Sequence, residues 1–254
     1  MISEYPKGAI QLLLLALALA PAFAAAGQTT SRPYDPDEGS VASVNPHIPE
    51  PMVFDLVRPL GAERGELEVN SLFRLPTTGS SNTLQWAPEV EYTFADGMGV
   101  EFELPMENGQ VDSFKAALQA TLPIPHNRII QGVQLLGEKA RVGPASQLDV
   151  IHLLGVRWKP RWSTFTMTGL RREQVDRVRF TPIFNQSVFF EPNRELAFGL
   201  ETNWKAKGAS TRTFLAMPQV HWKASRVNIQ AGYGLSRRAG RNTGLLSWRV
   251  IREF

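Results

Sequence analysis

From Gly65 onward the chain alternates apolar and polar residues at period two, in run after run of about nine to twelve residues. That spacing puts successive side chains on opposite faces of a β-strand. The first run carries Leu67, Val69, Phe73 and Leu75 on one face and Glu66, Glu68, Asn70 and Arg74 on the other. Leu84, Trp86, Val90, Tyr92 and Phe94 then oppose Gln85, Glu89, Glu91 and Thr93. Met98, Val100, Phe102 and Leu104 oppose Glu101 and Glu103, and Phe114 to Leu122 repeats the pattern against Lys115, Gln119 and Thr121. In the middle, Val133 and Leu135 oppose Gln134 and Glu138, and Leu148 to Trp158 oppose Asp149 and Arg157. Residues 162–170 place Phe165 and Met167 on the apolar face against Thr164, Thr166 and Thr168. Over 181–190 the phase stays open, because Phe189 and Phe190 compete. Three further runs, around 196–204, 214–222 and 227–235, precede a last one with Leu246, Trp248, Val250 and Phe254 against Ser247, Arg249 and Glu253. This makes twelve candidate strands.

A soluble sandwich also alternates, with its apolar face as a core. Strand length separates the two readings: globular strands have a mode of about 5–6 residues, whereas a strand tilted across a bilayer needs about 9–11. Loop parity separates them again. The links after even strands are short, among them Ala95-Asp96-Gly97, Lys159-Pro160-Arg161 and Lys223-Ala224-Ser225. Most links after odd strands are longer, such as Arg171 to Phe180 and Ser236 to Thr243. That asymmetry is the plan of outer-membrane barrels, with short turns on the periplasmic side. Tyr92, Phe94, Trp158, Trp162 and Trp222 gather near the short-turn ends, and Phe73, Trp86 and Trp204 near the others, where amphipathic rings meet the interfaces. The expected fold is an all-β, 12-stranded antiparallel transmembrane β-barrel over residues 61–254.

Two segments precede it. Lys7 and the apolar stretch Ala9–Ala20, followed by Ala22-Phe23-Ala24-Ala25-Ala26, have the layout of a signal peptide cleaved on export, over residues 1–26. Residues 27–60 carry Pro33, Pro36, Pro46, Pro49, Pro51 and Pro59 among polar residues. Proline fixes φ and removes a donor, so this stretch reads as an extended periplasmic arm or plug. Only Met52 to Val57 is sticky enough to dock on something. Export and a barrel together place the protein in the bacterial outer membrane.

Composition narrows the chemistry. The chain has no cysteine and 4 histidines, which removes thiol catalysis, disulfides and Cys-based metal sites. A net charge of +3 gives no case for nucleic acid. No cofactor or metal motif is present. His152 falls on the apolar phase, but no Ser or Asn on its strand completes a nucleophilic triad, so no enzyme is expected. A lipid-modifying barrel enzyme is the weaker alternative, beside a structural or partner-binding barrel without conductance.

If the apolar face meets lipid, the polar face lines the bore. Glu66, Glu68, Glu89, Glu91, Glu101 and Glu103 then occupy one wall, and like charges so close need opposing cations. Lys115, Arg157 and Arg249 point inward by the same phase, and Arg58 or Arg64 of the arm could join them. A polarised bore, acidic on one wall and basic on the other, follows as an expectation. It serves either conduction of small solutes or ion pairs in a filled interior, since twelve strands fall between filled barrels of about eight and open ones of about 16–18. The basic residues of the long loops, from Arg171 and Arg172 to Arg237, Arg238 and Arg241, suit outer-membrane lipid and lipopolysaccharide phosphates.

The chain ends with Trp248, Val250 and Phe254 on the apolar phase, which resembles the C-terminal signature of bacterial outer-membrane β-barrels; Arg252 departs from that pattern. The resemblance implies a last strand read by the barrel-assembly machinery. In architecture, residues 60–254 resemble the porin or transporter barrels associated with the phenol-degradation MetA pathway. That likeness implies passive passage of small solutes and assigns no functional residue.

Overall fold

The computed structural model describes residues 45–54, 56–78, 83–124, 127–175, 177–206 and 212–254. The expected leader, the first part of the arm, His126 and Lys207 lie outside the described residues. The strands are β1 (Leu67–Pro76), β2 (Gln85–Ala95), β3 (Met98–Glu103), β4 (Met106–Glu107), β5 (Gln110–Val111), β6 (Ser113–Leu122) and β7 (Ile129–Ala140). They continue with β8 (Ser146–Lys159), β9 (Trp162–Gln174), β10 (Val178–Phe190), β11 (Leu196–Ala206), β12 (Arg212–Ala224), β13 (Val227–Arg238) and β14 (Arg241–Glu253). All pair antiparallel with their sequence neighbours along the wall, and β1 pairs with both β2 and β14, so the sheet closes. The small β4–β5 hairpin rides on the rim of β2. The other twelve strands form a closed antiparallel barrel, and closure leaves no unpaired edge in the wall.

Burial decides what the two faces touch. On β8, Asp149 and Ile151 are 0% exposed, while Leu148 and Val150 are 40% and 56% exposed. Val90, Phe102, Phe114, Leu135, Phe198 and Leu235 repeat this around the outside. A water-soluble body would hide such a belt; a barrel in hydrocarbon displays it. Phe73 stacks between Trp86 and Trp248, with ring centroids 5.8 and 5.2 Å away, and ties the closing seam β2–β1–β14 on the outer face.

Two features differ from the sequence reading, and one it left open is settled. The phase of β9 is inverted: Phe165 and Met167 point inward at 2% and 0% exposure, and Thr164, Thr166 and Thr168 point outward. The reason is an apolar patch inside the barrel, described below, which takes the two large side chains. The outward hydroxyl of Thr166 donates to Gln186 Oε1 at 2.8 Å, and the Gln186 amide donates to the carbonyls of Phe165 and Ser187, so this polar strip is internally satisfied. On β10, Phe189 points inward and Phe190 outward, where it meets Trp162 at 4.9 Å. Finally, two of the expected long loops are mostly strand. The β9–β10 ladder runs on to Val178↔Gln174, and β13 and β14 turn within Ala239–Gly240, at φ 48° and 80°. The asymmetry between the two ends comes from strands whose ladders extend beyond the apolar belt.

Candidate functional site

The described part of the arm lies inside the barrel. Residues 45–54 start at the short-turn end beside β8 and β10 and rise to about mid-bore at Met52–Phe54, and residues 56–64 return to the same end before β1. Two facts mark the start and the return: the Arg157 guanidinium donates to the His47 carbonyl, at 3.0 Å from Nε, and Gly97 N–H donates to the Ala62 carbonyl at 2.8 Å. Met52, Leu56 and Val57 are 0%, 1% and 0% exposed. Prolines suit such a segment, since an irregular chain buried in a bore has no ladder partner for every N–H.

At its tip, the segment aims three consecutive N–H groups at one carboxylate. Met52 and Val53 donate to Glu201 Oε2 at 3.0 and 2.9 Å, and Phe54 donates to Oε1 at 2.8 Å. Asn203 adds a fourth donor at 2.9 Å. Successive amides of this kind form an anion-binding concavity, here filled by a wall side chain. The apolar side chains of the segment seat on both sides of this contact. Ile48 and Leu56 join Ile130, Ile151, Leu153, Phe165, Met167 and Phe189 on β7–β10. Met52 joins Leu72, Ala87, Leu215 and Met217.

The wall is carved to receive it. A Cβ on Gly155 would meet Ile48 Cδ1 at 2.7 Å; one on Gly132 would meet Leu60 Cδ2 at 2.5 Å. One on Gly232 would meet Met52 Cε at 2.9 Å, and one on Gly99 would meet Arg58 Cγ at 3.1 Å. All four glycines stand on the inward phase, on four different strands.

The expected bore residues fall into two groups. Glu68, Glu89, Glu91, Glu101 and Glu103 turn into the bore from β1, β2 and β3 and are 9% exposed or less. Glu66, next to β1, stays partly exposed. Arg249 on β14 donates to Glu89 at 2.7 Å, to Glu91 at 3.3 Å and to Asn70 at 3.2 Å. Lys115 on β6 lies 2.9 Å from Glu101 and also pairs with Glu103. Arg58 of the segment completes the group, bonding Glu68 and, at 2.6 Å, Glu66. Arg157 stands apart, 2.8 Å from Glu191 at the short-turn end. The cations therefore flank or cover the acidic wall. The opposite wall, β7–β10, carries an apolar patch that the arm covers, with the Arg171–Asp149 and Arg157–Glu191 pairs also on or beside these strands. Arg64 meets the turn through its backbone, donating to Asp96 Oδ1 at 2.9 Å.

Several functional positions were not anticipated: Glu201, the Asp149–Arg171 pair at 2.6 Å, and Glu191. The four inward glycines were the available sequence signal for an occupied bore, although Gly169, Gly199 and Gly234 on the same phase meet wall atoms instead. Among the described residues, Glu89, Glu101 and Glu103 bring carboxylate oxygens within 4.8 Å of one another, the spacing of a metal site, but the Lys115 ammonium sits on two of the three. His152 is outward and exposed, 3.3 Å from Gln131 Oε1, with Val133 and Thr168 opposite it on the adjacent strands.

Comparisons with known proteins agree with this architecture. A family model described as HAEPLYID-like matches residues 45–135, from the re-entrant segment into β7. No curated protein matches the chain. Among solved structures, the NanC porin superposes with a TM-score of 0.58 at 11% identity, covering 73% of this chain and 97% of that one. The KdgM porin, solved in complex with disordered oligogalacturonate, gives 0.56 at 9% identity, covering 72% and 97%. An outer membrane channel from Pseudomonas putida F1 gives 0.57 at 11% identity, covering 82% and 100%. At such identities the likeness establishes the fold: the chain has the barrel of outer-membrane porins and channels.

Proposed function

We propose that this protein is a porin-like channel of the bacterial outer membrane for passive passage of small solutes, held closed by residues 45–61. The observation that carries this reading is the bore itself. A belt of apolar side chains faces outward, a charged wall faces inward, and the segment filling the space between enters and leaves at one end. A plug tethered at one end can be withdrawn without threading. Its polar anchors, the Glu201 carboxylate and Arg58, are contacts that water can replace.

In this reading the leader directs export and is cleaved, and the short turns and the segment face the periplasm. Trp248, Val250 and Phe254 are read by the assembly machinery, and the basic strand extensions meet lipopolysaccharide. The likeness to MetA-pathway barrels supports the same class of role. The protein is not proposed to be an enzyme, and the porin and channel neighbours support that.

Single-channel recording on the purified chain tests the proposal. The unaltered protein is expected to open rarely, and Glu201→Ala is expected to raise the open fraction. Silence in both contradicts it. A second reading, a structural barrel with a permanently filled bore, is favoured by one observation: the apolar contact of Ile48 and Leu56 with β7–β10. It predicts that silence.

A further inference from the structure

We infer that the open channel selects cationic solutes, and that Arg58 is the segment's own occupant of the path they take. This rests on the channel reading above. Four of the wall's inward cations are neutralised by the wall itself: Arg249 by Glu89, Lys115 by Glu101 and Glu103, Arg157 by Glu191, and Arg171 by Asp149.

The segment adds its own neutralising groups. Its Arg58 guanidinium bridges Glu66 and Glu68, and its three tip amides neutralise part of the charge on Glu201. Withdrawal takes Arg58 and those amides away together. Glu50 leaves as well, but it lies 3.9 Å from Arg249, which keeps Glu89 at 2.7 Å. The open bore then carries carboxylates at two levels, Glu66 and Glu68 near the short-turn end and Glu201 at mid-bore.

Carboxylates lining a narrow aqueous path set cation selectivity, because their field is poorly screened where water is scarce. The occupant the structure displays at the lower level is a guanidinium. Its planar fork bridges two carboxylates in a fixed geometry, as the Lys115 ammonium bridges Glu101 and Glu103 nearby. The class of solute is thus small organic cations bearing guanidinium or amine groups, with inorganic monovalent cations as the simplest members. Across the bore, β7–β10 offers an apolar surface to the uncharged part of such a molecule.

The test is a reversal-potential measurement in planar bilayers under a KCl gradient, on the full chain carrying Ile48→Ser and Leu56→Ser to loosen the plug. Arg58→Gln serves as a second opener, and the spontaneous openings of the unaltered chain give the same reading if neither variant assembles. K⁺ is expected to permeate several-fold more readily than Cl⁻. Adding Glu68→Gln and Glu201→Gln should bring the ratio towards one; guanidinium should carry current when it replaces K⁺, and replacing Cl⁻ by glutamate should leave the current nearly unchanged. A conducting channel that is unselective or prefers Cl⁻ overturns this inference and leaves the channel reading standing. Silence in every variant and in the unaltered chain overturns both.

Discussion

Ile48 occupies the space that a side chain on Gly155 would fill: a Cβ there would lie 2.7 Å from Ile48 Cδ1 and 2.9 Å from Ile130 Cγ2. Gly155→Val is therefore expected to push the re-entrant segment off β8, at an overpacking cost of about 1–3 kcal/mol. The measurement is limited proteolysis of the folded barrel, with cleavage within residues 45–60 becoming faster. Unchanged protection would mean that the segment does not sit on this glycine.

Glu201 is the acceptor for three backbone donors that have no other place in the bore. Glu201→Ala strands them, and each buried unsatisfied group costs about 1–3 kcal/mol. Glu201→Gln keeps one carbonyl oxygen and should fall between. Hydrogen exchange at Met52, Val53 and Phe54 is expected to be slowest in the unaltered chain, faster in Glu201→Gln and fastest in Glu201→Ala. Equal exchange in all three would remove the latch.

Arg249 is 0% exposed and bonded to Glu89 at 2.7 Å and Glu91 at 3.3 Å, so its loss takes a cation from two buried carboxylates, whereas loss of Glu89 leaves it Glu91. Arg249→Gln is expected to cost about 3–5 kcal/mol of barrel stability, the usual figure for a broken buried pair. With Glu89→Gln added, the loss should be less than the sum of the two single losses, since one pair is removed twice. Urea unfolding from lipid vesicles measures all three. Strict additivity would show that the two side chains act independently.

Val133 stands on the outer face of β7 at 40% exposure, next to the inward Gln134 at 1%. In hydrocarbon, Val133→Arg should destabilise the barrel by up to about 2–4 kcal/mol, the penalty for Arg near mid-membrane on a barrel's lipid face. In detergent-free water around a soluble fold the same exposed position would tolerate Arg. Equal stability of the two proteins in vesicles would contradict a membrane-facing exterior.

Most of the wall was legible because its alternation obeys one rule, apolar outward and polar inward. Runs such as Phe102 against Glu101 and Glu103 need only that rule. It failed at Phe165 and Met167, where the inward partner is not water but Ile48 and Leu56, residues over a hundred positions away in the chain. Local pattern cannot report a partner of that kind. The acidic wall was readable from Glu89, Glu91, Glu101 and Glu103, whose phase is shared by adjacent strands. The placing of Arg249 on it was not, because that pairing depends on closure of β1 on β14. Glu201 looked like any polar strand residue: its role comes from the amides of Met52, Val53 and Phe54, which carry no side-chain signature.

The most direct test of a bore closed by its own N-terminal segment uses the absence of cysteine from the chain. A Cβ on Gly99 lies 3.6 Å from Arg58 Cβ, within the span of a disulfide. In a protein carrying Arg58→Cys and Gly99→Cys, the bridge is predicted to form in the assembled barrel and to silence single-channel openings. Reducing it should restore them above the level of the unaltered chain, because the segment has also lost its guanidinium anchor. Failure of the bridge to form, or the same conductance before and after reduction, would contradict the account.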